Sequence, residues 1–453
     1  MYGPSADPRQ TIAPVEIFDV PEAYLLCFAA GGLISALAWR RSWPVELRAA
    51  LFILGQCIIL TAPLAFFLDT FVYGSFPTID KAGSMAHYLD GVHIRALSDP
   101  LGALSDPGVR LIGIHMGHLV TTAFFDLFLS PVGAFNIQAL LFPALAWYFS
   151  WWLFWEHCES PRVAMLMAFP FGMGLHIFRD LNWYTIEKAA IFWLPLFLLM
   201  CTWAVRRGGR WRWGPAIVLA LTAWTNVYLG IINGGMLVLI STGLWVKRHP
   251  HSRRINMASA AAVVAVAPLA IGQWLIMADG PQLASKDAFL WQRAALDSFS
   301  LSPLAWNRLE VHRSLNIIAL GLAGWGLRPR RWTGVVPMAA VAGLLFFLLS
   351  LGPVLWAPDV MNPVYMGVRA VVPGFWRVAK PEVFFHITWL MLLGIGAIEA
   401  HRLGWTKRTL GLWYIAFVGA WLVMARSHPA YPPMTIPVAT PLAPDWAERV
   451  FGP

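Results

Sequence analysis

Long apolar segments separated by short basic clusters run through most of this chain, and they limit the folds that it can adopt. Hydrophobic residues make up 58% of the sequence and charged residues only 13%, whereas charged residues form about a quarter of a typical soluble domain. Four basic clusters recur between apolar segments, at 206–212, 247–254, 328–331 and 402–408. Positive charge in alternate loops is typical of the cytoplasmic side of multi-pass membrane proteins. The sequence therefore predicts an all-α polytopic membrane protein.

A helix needs about 20 mainly apolar residues to cross a bilayer, and somewhat shorter segments are tolerated. We predict about twelve spans, at 22–39, 50–73, 134–155, 163–178, 189–205, 213–227, 230–246, 257–278, 314–327, 333–352, 383–400 and 409–425. Residues 226–230 interrupt one long apolar stretch between two basic clusters, and both clusters can be cytoplasmic only if the chain turns there. A tight hairpin is therefore expected at 226–230.

The segment 110–130 is apolar but carries His115, His118 and Asp126. An Asp at the bilayer centre costs about 2.5–3.5 kcal/mol. Counting this segment as a span would also place every later basic cluster outside, unless another helix failed to cross. We therefore predict a periplasmic interfacial helix at 110–130 that lies on or dips into the outer face.

The resulting topology separates the two signs of charge. The predicted inner loops hold more than half of the 33 Lys and Arg residues but few of the 24 carboxylates. The inner carboxylates are Glu46, Glu156, Glu159 and Glu399. The predicted organisation is a periplasmic N-terminal segment, 1–21, a transmembrane domain, 22–425, and a periplasmic tail, 426–453. The large outer loops are 74–133, 279–313 and 353–382. Such a chain is expected in the inner membrane of a bacterium, with both termini periplasmic.

Three polar clusters on the predicted outer face are candidates for chemistry. Their members are Asp80, His87, His115 and His118 in the first loop, Asp180, Tyr184 and Glu187 in the second, and Arg369, Arg377 and Lys380 in the third. Asp80 is a candidate for catalysis because it follows the predicted second span, whose helix could hold it at the membrane surface. Arg can bind two phosphate oxygens at once, so the third cluster suits a phosphate or pyrophosphate, although anionic headgroups would suit it equally.

Cofactor signals are weak in this sequence. His115 and His118 are spaced so that one helical face could supply two metal ligands, but no third ligand follows at a fixed spacing. No nucleotide-binding loop or dinucleotide fingerprint occurs in a plausible context. No cofactor is therefore predicted, and a divalent metal is a minor alternative. The four cysteines provide neither a disulfide framework nor a metal pattern.

Several phrases between residues 50 and 400 resemble bacterial members of the GT-C superfamily of membrane glycosyltransferases. They are an acidic residue early in the first outer loop, Ser130-Pro-Val-Gly-Ala-Phe-Asn136, Ala168-Phe-Pro-Phe-Gly172, Glu187 before Trp193-Leu-Pro195, Ser350-Leu-Gly-Pro353, and Pro373-Gly-Phe-Trp-Arg377 with Lys380-Pro-Glu382. The resemblance implies an inverting enzyme that moves a sugar from a polyprenyl-phosphate-type donor at the periplasmic face. It implies that Asp80 is the general base and that Arg377 and Lys380 bind the lipid phosphate.

Two other functions stay open at this stage. Lys81 follows Asp80 where the family often has a second acidic residue, which allows a catalytically silent subunit of a larger membrane assembly. A lipid or solute transporter would need ionisable residues deep within several spans or an inverted repeat, and neither is clear. The expected partners are the polyprenyl-linked donor and membrane lipids, with a membrane protein complex as the partner under the silent-subunit alternative. Nucleic acid is not expected, because the cations are scattered between apolar segments.

Overall fold

The computed structural model is dominated by α-helices, with three short strands. It describes residues 15–16, 21–62, 65, 71–72, 124–125, 127–129, 131–174, 177, 189–250, 252–278, 317–355, 360–372, 375, 378, 381–427 and 438–441. The helices are α1 (Pro21–Leu37), α2 (Val45–Leu60), α3 (Pro131–Cys158), α4 (Pro161–Gly172), α5 (Trp193–Arg206), α6 (Gly214–Thr225), α7 (Val227–Val246), α8 (Ser252–Ala278), α9 (Ile317–Gly326), α10 (Val336–Ser350), α11 (Pro363–Val371), α12 (Phe385–Arg402) and α13 (Lys407–Ser427). Short 3₁₀ turns occupy Gly209–Trp213, Pro329–Arg331 and Pro381–Phe384.

The chain divides into two compact units. The first comprises Met1–Tyr148, Gly172–Ala190 and Val418–Pro453, and the second comprises Phe149–Phe171 and Ile191–Phe417. Within the described residues, α1 and α2 lie wholly in the first unit. Helices α5 to α12 lie wholly in the second.

In the first unit, α1 and α2 cross at very short range through small residues. A Cβ atom on Gly31 would lie 2.6 Å from the Gly55 carbonyl oxygen, and one on Gly55 would lie 2.3 Å from Ser35 Oγ. Gln56 Nε2 donates a hydrogen bond of 3.1 Å to that same Ser35 hydroxyl. Close approach through Gly and Ser at a spacing of four is the usual way in which apolar helices associate in a membrane.

Three short strands of the first unit form one small antiparallel sheet. They are β1 (Val15–Glu16), β2 (Phe71–Val72) and β3 (Val438–Pro441), in the order β1-β3-β2. Val15 pairs with Ala439, and Phe71 pairs with Pro441. The N-terminal segment, the chain beyond α2 and the C-terminal tail therefore meet. These strands depart from the all-α chain that the sequence predicts.

The second unit is built around α12, which packs against α9 and α10. Helices α6 and α7 are joined by a single residue, Asn226, whose Oδ1 accepts hydrogen bonds from the Tyr228 and Leu229 backbone N–H groups. Asn233 Nδ2 donates to Thr222 Oγ1 at 3.2 Å, so the two helices fold back on each other. The predicted hairpin at 226–230 is confirmed as a chain reversal at Asn226.

Most predicted spans correspond to helices, but two predicted boundaries are wrong. The segment predicted at 50–73 is helical only to Leu60. Thr61 Oγ1 donates a hydrogen bond to the Cys57 carbonyl oxygen there. Pro63 follows closely and disfavours a helical conformation in the residue before it. The segment predicted at 163–178 ends at Gly172. There the indole N–H of Trp421 donates to the Met173 carbonyl at 2.6 Å, which occupies an acceptor that a longer helix would use.

Three helical segments of the described residues are long and apolar enough to cross a membrane, namely Asn136–Cys158, Tyr228–Val246 and Pro381–Arg402. Shorter apolar helices lie at Pro21–Leu37, Trp193–Arg206 and Val336–Ser350. The larger total of about twelve spans stays a prediction. Of the predicted interfacial helix at 110–130, all but five residues fall outside the described part of the chain.

Candidate functional site

The predicted outer-face site is represented in the structure by one residue, Arg369. The other nominated residues lie outside the described part of the chain, namely Asp80, His87, His115, His118, Asp180, Tyr184, Glu187, Arg377 and Lys380. Asp80 was predicted to lie just beyond the second span, which was expected to continue to residue 73 and to hold Asp80 near its end. Helix α2 ends at Leu60, so about twenty residues separate it from Asp80 in the sequence.

Arg369 lies in the last turn of α11, a short helix that Asn362 fixes to the end of α10. The Asn362 Oδ1 atom accepts from the Val364 and Tyr365 backbone N–H groups, at 3.1 and 3.3 Å, and so caps α11. Its Nδ2 group donates to the Leu348 and Gly352 carbonyl oxygens at 2.6 and 2.9 Å. Asn362 is buried, so one amide side chain joins the two helices through four hydrogen bonds.

The buried face of α11 is held by aromatic contacts. Tyr365 is fully buried, and its hydroxyl donates to the Val378 carbonyl at 3.2 Å. The Tyr365 ring meets Phe375 edge to face with centroids 5.1 Å apart, and Phe375 stacks on Phe384 at 5.6 Å. Phe384 ends the turn that leads into α12. Helix α11 is therefore held between the end of α10 and the start of α12.

Helix α11 carries two groups of electrostatic interest, the Arg369 guanidinium and the Tyr365 phenol. Burial raises the pKa of Tyr365, and the Arg369 charge opposes that rise only in part. Tyr365 thus keeps its proton at neutral pH and remains a hydrogen-bond donor. Arg369 is half-buried near the C-terminus of α11, where a positive charge interacts favourably with the helix dipole. Helix α11 thus holds a positive charge near the neutral phenol of Tyr365.

A second polar cluster, which the sequence analysis did not nominate, surrounds Glu399 near the end of α12. Glu399 is fully buried, and its two carboxylate oxygens contact Arg331 Nη1 at 3.1 Å and Arg402 Nη1 at 2.5 Å. Arg402 Nη2 also donates to Thr333 Oγ1 at 2.6 Å. Gly326 makes room for this pair, because a Cβ atom there would lie 2.6 Å from Glu399 Cγ.

A third cluster surrounds Glu156 near the end of α3. Its carboxylate pairs with Arg206 and Arg207, and it accepts a hydrogen bond of 2.7 Å from the Trp203 indole N–H. Arg207 also lies over the Trp203 ring, 4.6 Å from its centroid. Two carboxylates predicted on the inner face are therefore neutralised by arginines of the basic clusters. Both carboxylates are therefore held in ion pairs with arginine side chains.

The only signal for these pairs in the sequence was that Glu156 and Glu399 depart from the sign separation. Within the residues that the structure describes, no group of three or more His, Cys, Asp or Glu side chains could hold a metal ion. His115 and His118, the pair considered for a metal, lie outside those residues. No family model, curated protein or solved structure matches the chain.

Proposed function

We propose that this chain is an inverting membrane glycosyltransferase of the GT-C type, which moves a sugar from a polyprenyl-phosphate-type donor to an acceptor hydroxyl at the outer face. The proposal combines the motif resemblance with the long apolar helices of the fold. The observation that carries it is the fixed position of Arg369. A cation on a capped, packed helix can hold a phosphate without first paying the entropic cost of ordering a loop.

In the proposed reaction, the acceptor oxygen attacks the anomeric carbon of the sugar while the bond from that carbon to the phosphate oxygen breaks. Asp80 takes the proton of the acceptor hydroxyl, and the lipid phosphate leaves with the bonding electron pair. General-base help of this kind contributes about 100- to 10,000-fold to the rate. Glu187 and Asp180 are the other carboxylates proposed for this face, with the aromatic Tyr184 beside them in sequence.

The leaving lipid phosphate carries negative charge, and the third cluster is proposed to bind it. Arg369, Arg377 and Lys380 would stabilise that charge more strongly in the transition state than in the ground state, because the charge grows as the bond breaks. His87, His115 and His118 are assigned to the sugar or acceptor side of the site. No metal is needed in this scheme.

The test uses purified full-length protein with a panel of radiolabelled polyprenyl-phosphate hexoses and pentoses, and membranes of the source cells as acceptor. Wild-type protein should transfer label. Asp80→Asn should lose at least about 100-fold in kcat while still binding fluorescent polyprenyl phosphate. Arg369→Gln should bind that probe about tenfold more weakly, since one charge-assisted hydrogen bond is lost.

Arg253→Gln is the matched control, because it removes the same charge from an exposed position at the start of α8. Full turnover by Asp80→Asn would show that the base assignment is wrong. If wild-type protein binds polyprenyl phosphate no better than uncharged polyprenol, and consistently copurifies with a second membrane protein, the silent-subunit alternative is correct instead.

A further inference from the structure

The second unit contains an apolar cavity that the proposed reaction does not use. Its volume is about 180 Å³, it is partly open, and it lies between α3, α5, α7, α10 and α12. Phe154, Leu198, Met236 and Ile395 are among the residues that line it. An engineered apolar cavity of about 150 Å³ in another protein stays dry and takes up benzene. The cavity described here is therefore suited to an apolar guest.

Three polar side chains, His157, Thr202 and Arg206, also line the cavity. The Arg206 guanidinium approaches His157 Nδ1 at 3.4 Å, His157 Nε2 lies 3.2 Å from Thr202 Oγ1, and Thr202 Oγ1 donates to the Leu198 carbonyl at 2.9 Å. This chain of contacts is satisfied when the imidazole accepts at Nδ1 and donates from Nε2. The polar lining groups are thus bonded to one another, which leaves mainly apolar surface for a guest.

The polar lining borders a surface with excess positive charge. Arg206 and Arg207 share the single carboxylate of Glu156, and about half of each arginine side chain remains exposed, at 49% and 46%. Arg254 adds a third guanidinium, which donates to the Val205 carbonyl at 3.2 Å. Three positive charges against one negative charge leave a surface complementary to an anion.

The same end of the second unit carries features of a membrane interface. Trp213, at the start of α6, and Trp245, at the end of α7, are exposed, and Arg212 lies 4.9 Å from the Trp213 ring centroid. Exposed Trp beside Arg is typical of the headgroup level of a bilayer. The apolar cavity thus lies at the depth of a phospholipid acyl chain, and the arginines lie at the depth of its phosphate.

We propose that this cavity binds part of one acyl chain of an anionic phospholipid, whose phosphate contacts Arg206. The cavity is separate from Arg369 and α11. On α10 the cavity is lined by Ala339, whereas α11 is fixed to the opposite end at Leu348. The offset of nine residues from Ala339 to Leu348 corresponds to about 14 Å along a helix. A polyprenyl phosphate bound at the proposed outer site is therefore a different ligand at a different place.

The experiment uses the full-length protein in phosphatidylcholine vesicles and a phosphatidylglycerol probe with a photoreactive diazirine on its acyl chain. We expect crosslinks in peptides of α5 and α7, and several-fold fewer with the matching phosphatidylcholine probe. Ala339→Phe should abolish this labelling, because the new ring occupies the cavity. Val341→Phe is its control, since Val341 lies on the same helix but is 55% exposed.

A second pair of variants tests the headgroup contact. Arg206→Gln should reduce labelling by the phosphatidylglycerol probe about tenfold, whereas Arg408→Gln, at an exposed position in another basic cluster, should leave it unchanged with the same loss of charge. This pair and the comparison of the two lipids decide the matter even if Ala339→Phe aggregates on gel filtration. The proposal is overturned by equal labelling with both lipids, by undiminished labelling of folded Ala339→Phe, or by displacement with polyprenyl phosphate at lower concentrations than phosphatidylglycerol.

Discussion

At the scale of single residues, Glu399 is a buried charge on which the packing of α12 depends. It is fully buried between two arginines that are each only partly exposed, at 37% and 30%. Removing one partner of a buried ion pair costs about 3–5 kcal/mol, since the remaining charges lose their compensation. We therefore expect Glu399→Gln to lower the free energy of unfolding by about 3 kcal/mol, measured as a fall in melting temperature in detergent.

The control for that measurement is Glu22→Gln, because Glu22 is exposed at the start of α1 and the chemical change is the same. Its effect should lie within about 0.5 kcal/mol, as is usual for surface substitutions. Equal melting temperatures for the two variants would show that the Glu399 pair contributes no net stability.

The sequence could not have identified this pair. Arg331 and Glu399 are 68 positions apart, and their contact depends on how α9 and α12 pack. The sequence did indicate that Glu156 and Glu399 are exceptions to the sign separation. A carboxylate among basic loops of a chain with few charges is expected to have a cationic partner. Which arginine on another helix pairs with it depends on tertiary packing, which spacing along one helix does not predict. Arg402, three residues after Glu399, was the only partner within reach of that reasoning.

At the scale of elements, the crossing of α1 and α2 gives a sharp contrast between two adjacent glycines. A Cβ atom on Gly31 would lie 2.6 Å from backbone oxygen of α2, whereas one on Gly32 would meet nothing within 4 Å. Gly31→Ala must therefore push the helices apart and destabilise the first unit. Gly32→Ala should stabilise by roughly 0.5–1 kcal/mol, because Ala is the better helix former.

Melting temperatures of the two variants measure this difference directly, and the two substitutions differ only in position. A similar rise for both would show that α1 and α2 do not approach as closely as the structure has them. A similar fall for both would point instead to a requirement for glycine in the helix itself.

Helix positions could largely be predicted from apolar length, but helix ends could not. The reversal at Asn226 was predictable, since two basic clusters on one side require a turn between them. The end of α2 was missed because apolarity continues beyond Leu60, while Thr61 and Pro63 favour an earlier stop. The end of α4 depends on Trp421, which is 248 positions from Met173. Local composition contains no information about such a distant partner.

At the scale of the whole molecule, strand pairing links two segments predicted on the outer side, the N-terminal segment and the C-terminal tail, with the end of the predicted second span. β1 belongs to the N-terminal segment, β2 leads into the first outer loop, and β3 lies in the C-terminal tail. Their pairing is compatible with two termini on the same side of the membrane, which an even number of spans requires. The arginines of the predicted inner loops, in turn, pair with Glu156 and Glu399. The sidedness itself stays a prediction.

The side of the membrane on which each loop lies can be measured with two variants of the full-length chain, each with one added cysteine. Gly367→Cys lies on α11, where a new Cβ meets nothing within 4 Å, and Arg253→Cys lies exposed near the start of α8. The native residues Cys27, Cys57, Cys158 and Cys201 are all buried, so they should react slowly with a membrane-impermeant maleimide. In intact spheroplasts, Gly367→Cys should be labelled and Arg253→Cys should become reactive only after lysis. Labelling in the reverse order would place Arg369 on the cytoplasmic side, where a periplasmic lipid-linked donor could not reach it.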